Sequence, residues 1–168
     1  MSALGGKRVD IRDIIRAPKR ISSGGKWSAG TMPRTAFPLS RSGNKAYRLG
    51  NRRWRVVTFE ALGMNCRLLV NYHPTLSQYQ AMLGVEMDGD IKVLATLEHH
   101  PTHNAWHAHL CCDPIAAAPS GIRRGPWVRL MKAKGARHRS PTPQADDVAF
   151  SRAAAFFRLG IRDDGGLL

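Results

Sequence analysis

The sequence predicts an α+β fold in which an antiparallel sheet of about four strands carries helices on one face and is flanked by basic, flexible arms. Two observations support this prediction. Short runs rich in β-branched and aromatic residues recur through the centre of the chain, and segments with helical spacing lie among and after them. The basic residues, in contrast, concentrate in the flanking segments.

The charge distribution divides the chain of 168 residues. Residues 1–53 carry 13 Lys and Arg against 2 Asp and Glu, residues 54–113 carry 3 against 6, and residues 114–168 carry 10 against 4. We therefore expect a basic, largely flexible N-terminal arm over 1–53 and a core over 54–168 that ends in a basic segment and a helix. The net charge of +14 is typical of a protein that binds a polyanion, although a solvated basic surface is the alternative.

Composition also limits the class of protein. Three cysteines, two of them adjacent, do not form the pattern of a disulfide framework and favour a reducing compartment. No apolar run approaches the roughly 20 residues that a membrane span needs. The start of the chain has no apolar signal region. We therefore expect a soluble, cytoplasmic protein that does not act at a membrane.

The first half of the chain predicts one short helix and a hairpin. Apolar residues line one side of the segment 9–15, which predicts a helix ended by Pro18. The rest of 1–53 is rich in Gly, Ser and Pro without a period, which is typical of loop, apart from a brief helical turn that we expect around Tyr47. The segments 54–62 and 66–72 are β-branched and aromatic, and we expect them to pair as two strands.

The next segment changes period. Apolar residues at helical spacing between Leu76 and Leu83 predict a helix over 73–84, ended by Gly84. The Asp-Gly pair at 88–89 predicts a turn.

Two further strands and a final helix follow. The segments 91–100 and 106–112 predict strands that form a histidine-rich hairpin over 97–113. The segment 144–160 has an acidic first turn and a terminal Gly160, and we expect a helix there.

The hairpin over 97–113 holds five of the seven histidines. Strand alternation places His107 and His109 on one face, and pairing would set Glu98 and His100 of the neighbouring strand beside them. Imidazoles at i and i+2 plus a third from the next strand make a three-ligand site with positions left for water or phosphate. We expect a divalent ion (Mn, Mg or Zn), whereas ordinary surface histidines are the alternative.

Other residues predict supporting roles. His103, between the two strands, is a candidate fourth ligand or an acid–base group near neutral pH. Arginines beside tryptophans suit single-stranded nucleic acid, because charges track phosphates while rings stack on bases; buried tryptophans are the alternative. The candidate nucleic-acid-binding residues are Arg52, Arg53, Arg55, Arg123, Arg124, Trp127, Arg129, Lys132, Lys134, Arg137 and Arg139.

His107 and His109, with an alanine between them, resemble the His–hydrophobic–His pattern of the HUH superfamily of single-strand endonucleases. His100 before the pair resembles the earlier histidine of the relaxase three-histidine motif. The upstream "LLVNYHP" and the predicted element order are similar to those of the rolling-circle replication initiators. The resemblance covers residues 54–112 at most.

The resemblance implies a mechanism. His100, His107 and His109 would hold a divalent cation at the scissile phosphate, and a tyrosine would attack and become linked to the DNA 5′ end. The chain departs from the initiator pattern because no tyrosine follows Tyr79. Relaxases carry their tyrosine before the sheet, and Tyr47 is the candidate nucleophile at that position.

Taken together, the sequence predicts a nucleic-acid-acting protein, foremost a metal-dependent endonuclease of HUH-like arrangement for single strands, of the kind mobile elements encode. One alternative is a non-enzymatic nucleic-acid-binding regulator or inhibitor with a structural or zinc-bound histidine hairpin. Another is a ribonucleoprotein component whose basic tails fold on RNA.

Overall fold

The computed structural model describes residues 8–39, 47–118, 121–122, 127–129 and 141–160, with the backbone alone for 47, 103–105, 121–122 and 127–129. The strands are β1 (Arg20–Ser23), β2 (Ser28–Met32), β3 (Tyr47–Ala61), β4 (Met64–Tyr72), β5 (Tyr79–Met87), β6 (Asp90–His100), β7 (His103–Leu110), β8 (Gly121–Ile122) and β9 (Trp127–Arg129). The helices are α1 (Ile11–Arg16) and α2 (Asp146–Phe157), with a single 3₁₀ turn at Ile115–Ala117.

The nine strands of the described residues form one sheet in the order β1-β3-β4-β5-β6-β7-β9. Strand β2 pairs with β3, and β8 runs parallel to β6, whereas the other pairs are antiparallel. The prediction of about four strands with helices packed on one face is therefore wrong. The described chain is mostly antiparallel sheet, with two short α-helices.

Strand β5 accounts for one error, because a helix was predicted over 73–84. Tyr79 and Val85 point to one face of the sheet and are no more than 2% exposed, while Met82 points to the other and is 4% exposed. On the second face Met82 lies between the polar residues Gln80 and Glu86, so the strand nearly alternates between apolar and polar residues. The prediction failed because Tyr79, Met82 and Leu83 also match the spacing of a helix.

The N-terminal segment accounts for the other error. Residues 20–23 and 28–32, which were expected to be loop, lie in β1 and β2. Residues 47–53, where a brief helical turn was expected, lie in the first half of β3. The register pairs Arg20 with Glu60 and Ser28 with Trp54. These strands are short and interrupted by glycines, so their sequence carries no period; their pairing to a distant strand decides their conformation.

The other two predicted helices are confirmed. Helix α1 begins after Asp10, whose side chain accepts hydrogen bonds from the backbone of the first turn. Helix α2 ends at Phe157, and its C-cap is Arg158 with φ 54°, not Gly160 as predicted. Neither helix in the described residues has the length and apolarity needed to span a membrane.

The main core lies on one face of the sheet, which we call the helix face. Leu68, Leu83 and Trp106 of the sheet pack there with Ile14 of α1 and Phe150 of α2. All five are no more than 2% exposed. The helices therefore bury the centre of this face.

We call the opposite face, to which Leu69, Met82 and His107 point, the histidine face. A smaller apolar cluster occupies part of it, where Phe37 from the segment after β2 packs on Leu69 and Met82. The neighbouring part of this face carries polar side chains from five adjacent strands. It holds the candidate site.

Candidate metal centre

The hairpin of β6 and β7 brings together three of the predicted ligands. The register pairs Glu98 with His107 and Thr96 with His109. Facing residues of an antiparallel pair project to the same side of the sheet. His100 follows Glu98 by two residues on β6 and shares that side, since successive side chains alternate.

The three side chains converge. One ligand atom from each of Glu98, His100 and His107 lies within 4.8 Å of the others. Glu98 Oε2 is 3.6 Å from His107 Nε2, which is longer than a good hydrogen bond. Two ligands of one tetrahedral cation are about 3.4 Å apart when each metal–ligand distance is about 2.1 Å. The group could therefore hold a metal ion.

Burial and second contacts suit this role. The side chain of His107 is 2% exposed and that of Glu98 is 12% exposed, whereas His100 is half-buried. His100 Nδ1 is 2.6 Å from the hydroxyl of Thr102, a contact that fixes the ring for coordination through Nε2. Two imidazoles and one carboxylate suit Zn, Mn and similar divalent ions, and three ligands leave positions for water or substrate.

His109 lies beside this group and is not among its three members. Its ring centre is 5.4 Å from that of His107. Among the described residues, His109 Nδ1 and the hydroxyl of its partner Thr96 are buried without a hydrogen-bond partner. Such atoms are rare and cost about 1–3 kcal/mol each. The convergence of ligand atoms, which includes Glu98 and not His109, favours Glu98 as the third ligand, in contrast to the set that the resemblance implies.

Glu98 also ends a line of hydrogen bonds across the sheet, which we call the polar row: Arg52, Asn71, Gln80 and Glu98. Arg52 Nη1 donates to Asn71 Oδ1 (2.7 Å), Asn71 Nδ2 donates to Gln80 Oε1 (3.3 Å), and Gln80 Nε2 donates to Glu98 Oε1 (3.0 Å). Sequence reasoning missed Asn71 and Gln80. Only the register of β4, β5 and β6 reveals them, and the predicted helix at β5 concealed it.

The polar row joins two opposite charges. Burial lowers the pKa of Arg52, and the negative charge of Glu98 opposes that shift. The second nitrogen of Arg52, Nη2, donates to the amide oxygen of Gln78 at 2.8 Å. Both of these hydrogen bonds are to neutral amides, and Arg52 remains a cation on the histidine face.

Two of the predicted nucleic-acid contacts lie on the helix face instead. Arg53 donates to both carboxylate oxygens of Asp146. Arg55 is 3% exposed, donates to the carbonyl of Gly24 at 2.7 Å, and lies 4.0 Å above the ring of Phe150. The prediction of Arg55 as a surface contact is therefore wrong, because strand alternation turns it into the core.

The remaining basic candidates lie near or outside the described part. Strand β9 pairs Arg129 with His107 and Trp127 with His109, so the backbone of these residues adjoins the candidate site. Their side chains are outside the described residues. The candidates wholly outside the described residues are Arg123, Arg124, Lys132, Lys134, Arg137 and Arg139.

The two candidate catalytic residues are described by backbone alone. Tyr47 is the first residue of β3 and pairs with Met32. His103 is the first residue of β7 and pairs with His100. Their side chains lie outside the described residues, so both roles stay predictions.

Comparison of this chain with protein-family models, with curated proteins and with solved structures finds no match. The resemblance of the histidine hairpin to the HUH superfamily therefore stays a prediction.

Proposed function

We propose that the chain is a divalent-metal-dependent endonuclease that hydrolyses phosphodiester bonds in single-stranded nucleic acid, with Glu98, His100 and His107 as metal ligands. The observation that carries this proposal is the convergence of their ligand atoms within 4.8 Å on one sheet face. When bound, such an ion polarises a phosphoryl oxygen and lowers the pKa of a bound water.

The charge of the chain supports a polyanionic substrate. The net charge is +14, and the basic residues flank the segment that holds the ligands. Arg52 lies on the same face, and β9 sets the backbone of Arg129 beside that of His107. A basic chain with a cation on the face of a polar site suits a single strand whose phosphates pass over it.

Hydrolysis by water is proposed in place of attack by a tyrosine. A water nucleophile needs no side chain beyond those that hold the ion and accept a proton, so this route does not depend on Tyr47. The tyrosine route of the HUH superfamily makes a distinct prediction, which is a protein–DNA adduct that survives denaturant.

A cleavage assay tests the proposal. Labelled single-stranded DNA and RNA are incubated with the full chain and Mn, Mg or Zn, with and without chelator. We expect cleavage that requires metal, that is lost in Glu98→Gln and His100→Ala, and that persists in Tyr47→Phe. Glu60→Gln is the matched control, because Glu60 is a half-buried carboxylate of β3 paired with Arg20.

The outcomes separate the alternatives. Binding of nucleic acid without cleavage under all metal conditions would overturn the enzyme and support a non-enzymatic regulator or inhibitor. An adduct lost in Tyr47→Phe would replace water by tyrosine as the nucleophile. Cleavage unchanged in Glu98→Gln would exclude the metal centre.

A further inference from the structure

We infer that Gln80 is a positioning residue of the metal centre: its amide holds the Glu98 carboxylate so that one oxygen faces His107 and the ion. The inference rests on the proposed function, because it concerns the same ligand group. It adds a residue from β5, two strands away from His107.

The first argument is the direction of the hydrogen bonds. A guanidinium can only donate and a carboxylate can only accept. Arg52 therefore requires the oxygen of Asn71, and Glu98 requires the nitrogen of Gln80. Reversal of either amide would set two donors or two acceptors against each other. The charged groups at the two ends of the polar row therefore fix the orientation of both amides.

The second argument is the division of the Glu98 carboxylate. Its Oε1 accepts from Gln80 at 3.0 Å, while its Oε2 lies 3.6 Å from His107 Nε2. The amide therefore occupies one oxygen and presents the other to the ion. Carboxylates and imidazoles that bind metals commonly have such hydrogen-bonded supports, and their loss costs about 10–100-fold in metal affinity or activity.

The third argument is rigidity. Gln80 is directly opposite Asn71 on β4 and Glu98 on β6, in the middle of the sheet. Asn71 is 1% exposed, so its side chain is held by its surroundings. A support built on central strands sets ligand geometry more accurately than one built on a loop.

Titration of the full chain with Zn or Mn tests the inference, with calorimetry as the readout. Gln80→Met keeps the side-chain length and removes the donor, and Gln80→Ala removes the side chain without adding a contact. We expect each to bind the ion about 10–100-fold more weakly than the wild type. Gln78→Leu is the matched control: it removes a contact of Arg52 and none of Glu98, so its affinity should be unchanged.

A double variant distinguishes positioning from general structural damage. In a Glu98→Asp background, whose shorter carboxylate can still bind the ion but no longer reaches the Gln80 amide, Gln80→Met should cause no further loss of affinity, because Gln80 acts through the Glu98 carboxylate. An equal loss in both backgrounds would overturn the inference, as would wild-type affinity in Gln80→Met and Gln80→Ala. If the wild type and the Gln80 variants bind metal equally well, the role of Gln80 is excluded but the metal centre is not. If the wild type binds no metal, the metal centre itself is excluded.

Discussion

At the scale of single residues, Asp146 joins α2 to the sheet. It accepts from Arg53 and from the hydroxyl of Tyr72, at 2.7 Å for the latter. Burial would raise the pKa of Asp146, but the hydrogen bonds from Arg53 and Tyr72 outweigh it, so the pKa is lowered. Burial, aided by Asp146, raises the pKa of Tyr72 to about 12. Tyr72 is thus a protonated structural donor near neutral pH and is poorly suited to attack a phosphate.

The lowered pKa of Asp146 makes part of the stability depend on pH. Because the folded-state pKa lies below the unfolded value near 3.8, Asp146 stabilises the fold above that pH, and the contribution is lost as pH falls through the lowered pKa. We expect Asp146→Asn to be destabilised relative to the wild type near neutral pH, with the difference shrinking in acid.

Chemical denaturation at a series of pH values measures this change in the free energy of unfolding. Asp147→Asn is the control, because Asp147 is its exposed neighbour in the same helical turn. A difference between Asp146→Asn and wild type that stays constant from neutral to strongly acidic pH would contradict the assignment.

The site residues that could be predicted from the sequence are those that lie close together along the chain. Glu98, His100 and His107 follow from strand alternation in one hairpin. The role of Gln80 could not be predicted in this way, because it depends on the register of β5, and the apolar spacing of that segment predicted a helix. Alternation continued from His107 and His109 would place Cys111 on the histidine face, but Cys111 is 5% exposed in the core on the helix face, because β7 ends at the residue before it.

At the scale of elements, turn chemistry is a better guide than helical spacing. Asp88 and Gly89 have φ values of 56° and 71°, the left-handed pair of a two-residue hairpin turn. The same pattern occurs at Leu62 and Gly63, with 53° and 74°. An Asp-Gly turn followed by a strand implies a strand before it as well. That implication outweighs the apolar spacing that predicted a helix at β5.

Gly25 tests whether the N-terminal strands belong to the sheet as described. It connects β1 to β2 with φ +65°, and a Cβ built there would clash with the backbone carbonyl of Val56. We expect Gly25→Ala to lower the free energy of unfolding by more than about 2 kcal/mol, through backbone strain and the displacement of β3.

Urea denaturation provides the measurement for Gly25→Ala. Gly160→Ala is the matched control, because nothing lies within 4 Å of its added Cβ. Equal stability of the two variants would show that the β1–β2 connection does not pack against β3.

At the scale of the whole molecule, the strands that sequence predicted are the long ones with local partners. The predicted segments 54–62, 66–72, 91–100 and 106–112 fall within or overlap β3, β4, β6 and β7. The strands that were missed are β5 and the short strands at the edges. Short strands pair with distant parts of the chain, and that pairing leaves no period in the sequence.

The uneven distribution of charge predicts that binding of nucleic acid depends on salt concentration. We expect affinity for single strands to fall steeply with salt, by about 300-fold between ~50 and ~200 mM if about six phosphates are contacted, because each contact contributes about 0.7 to the salt slope of a single strand. Glu98→Gln should keep the same salt slope, because the flanking charges bind phosphate and the metal centre acts separately. Fluorescence anisotropy measures this affinity. An affinity that barely changes with salt would contradict the claim that the basic residues bind a polyanion.

The metal content of the purified chain tests the central claim most directly. Elemental analysis and calorimetric titration should find one divalent ion per wild-type chain, lost in Glu98→Gln and His100→Ala and retained in His109→Ala, which lies on the same face outside the ligand group. Absence of bound metal in the wild type, or undiminished affinity in Glu98→Gln and His100→Ala, would contradict the account.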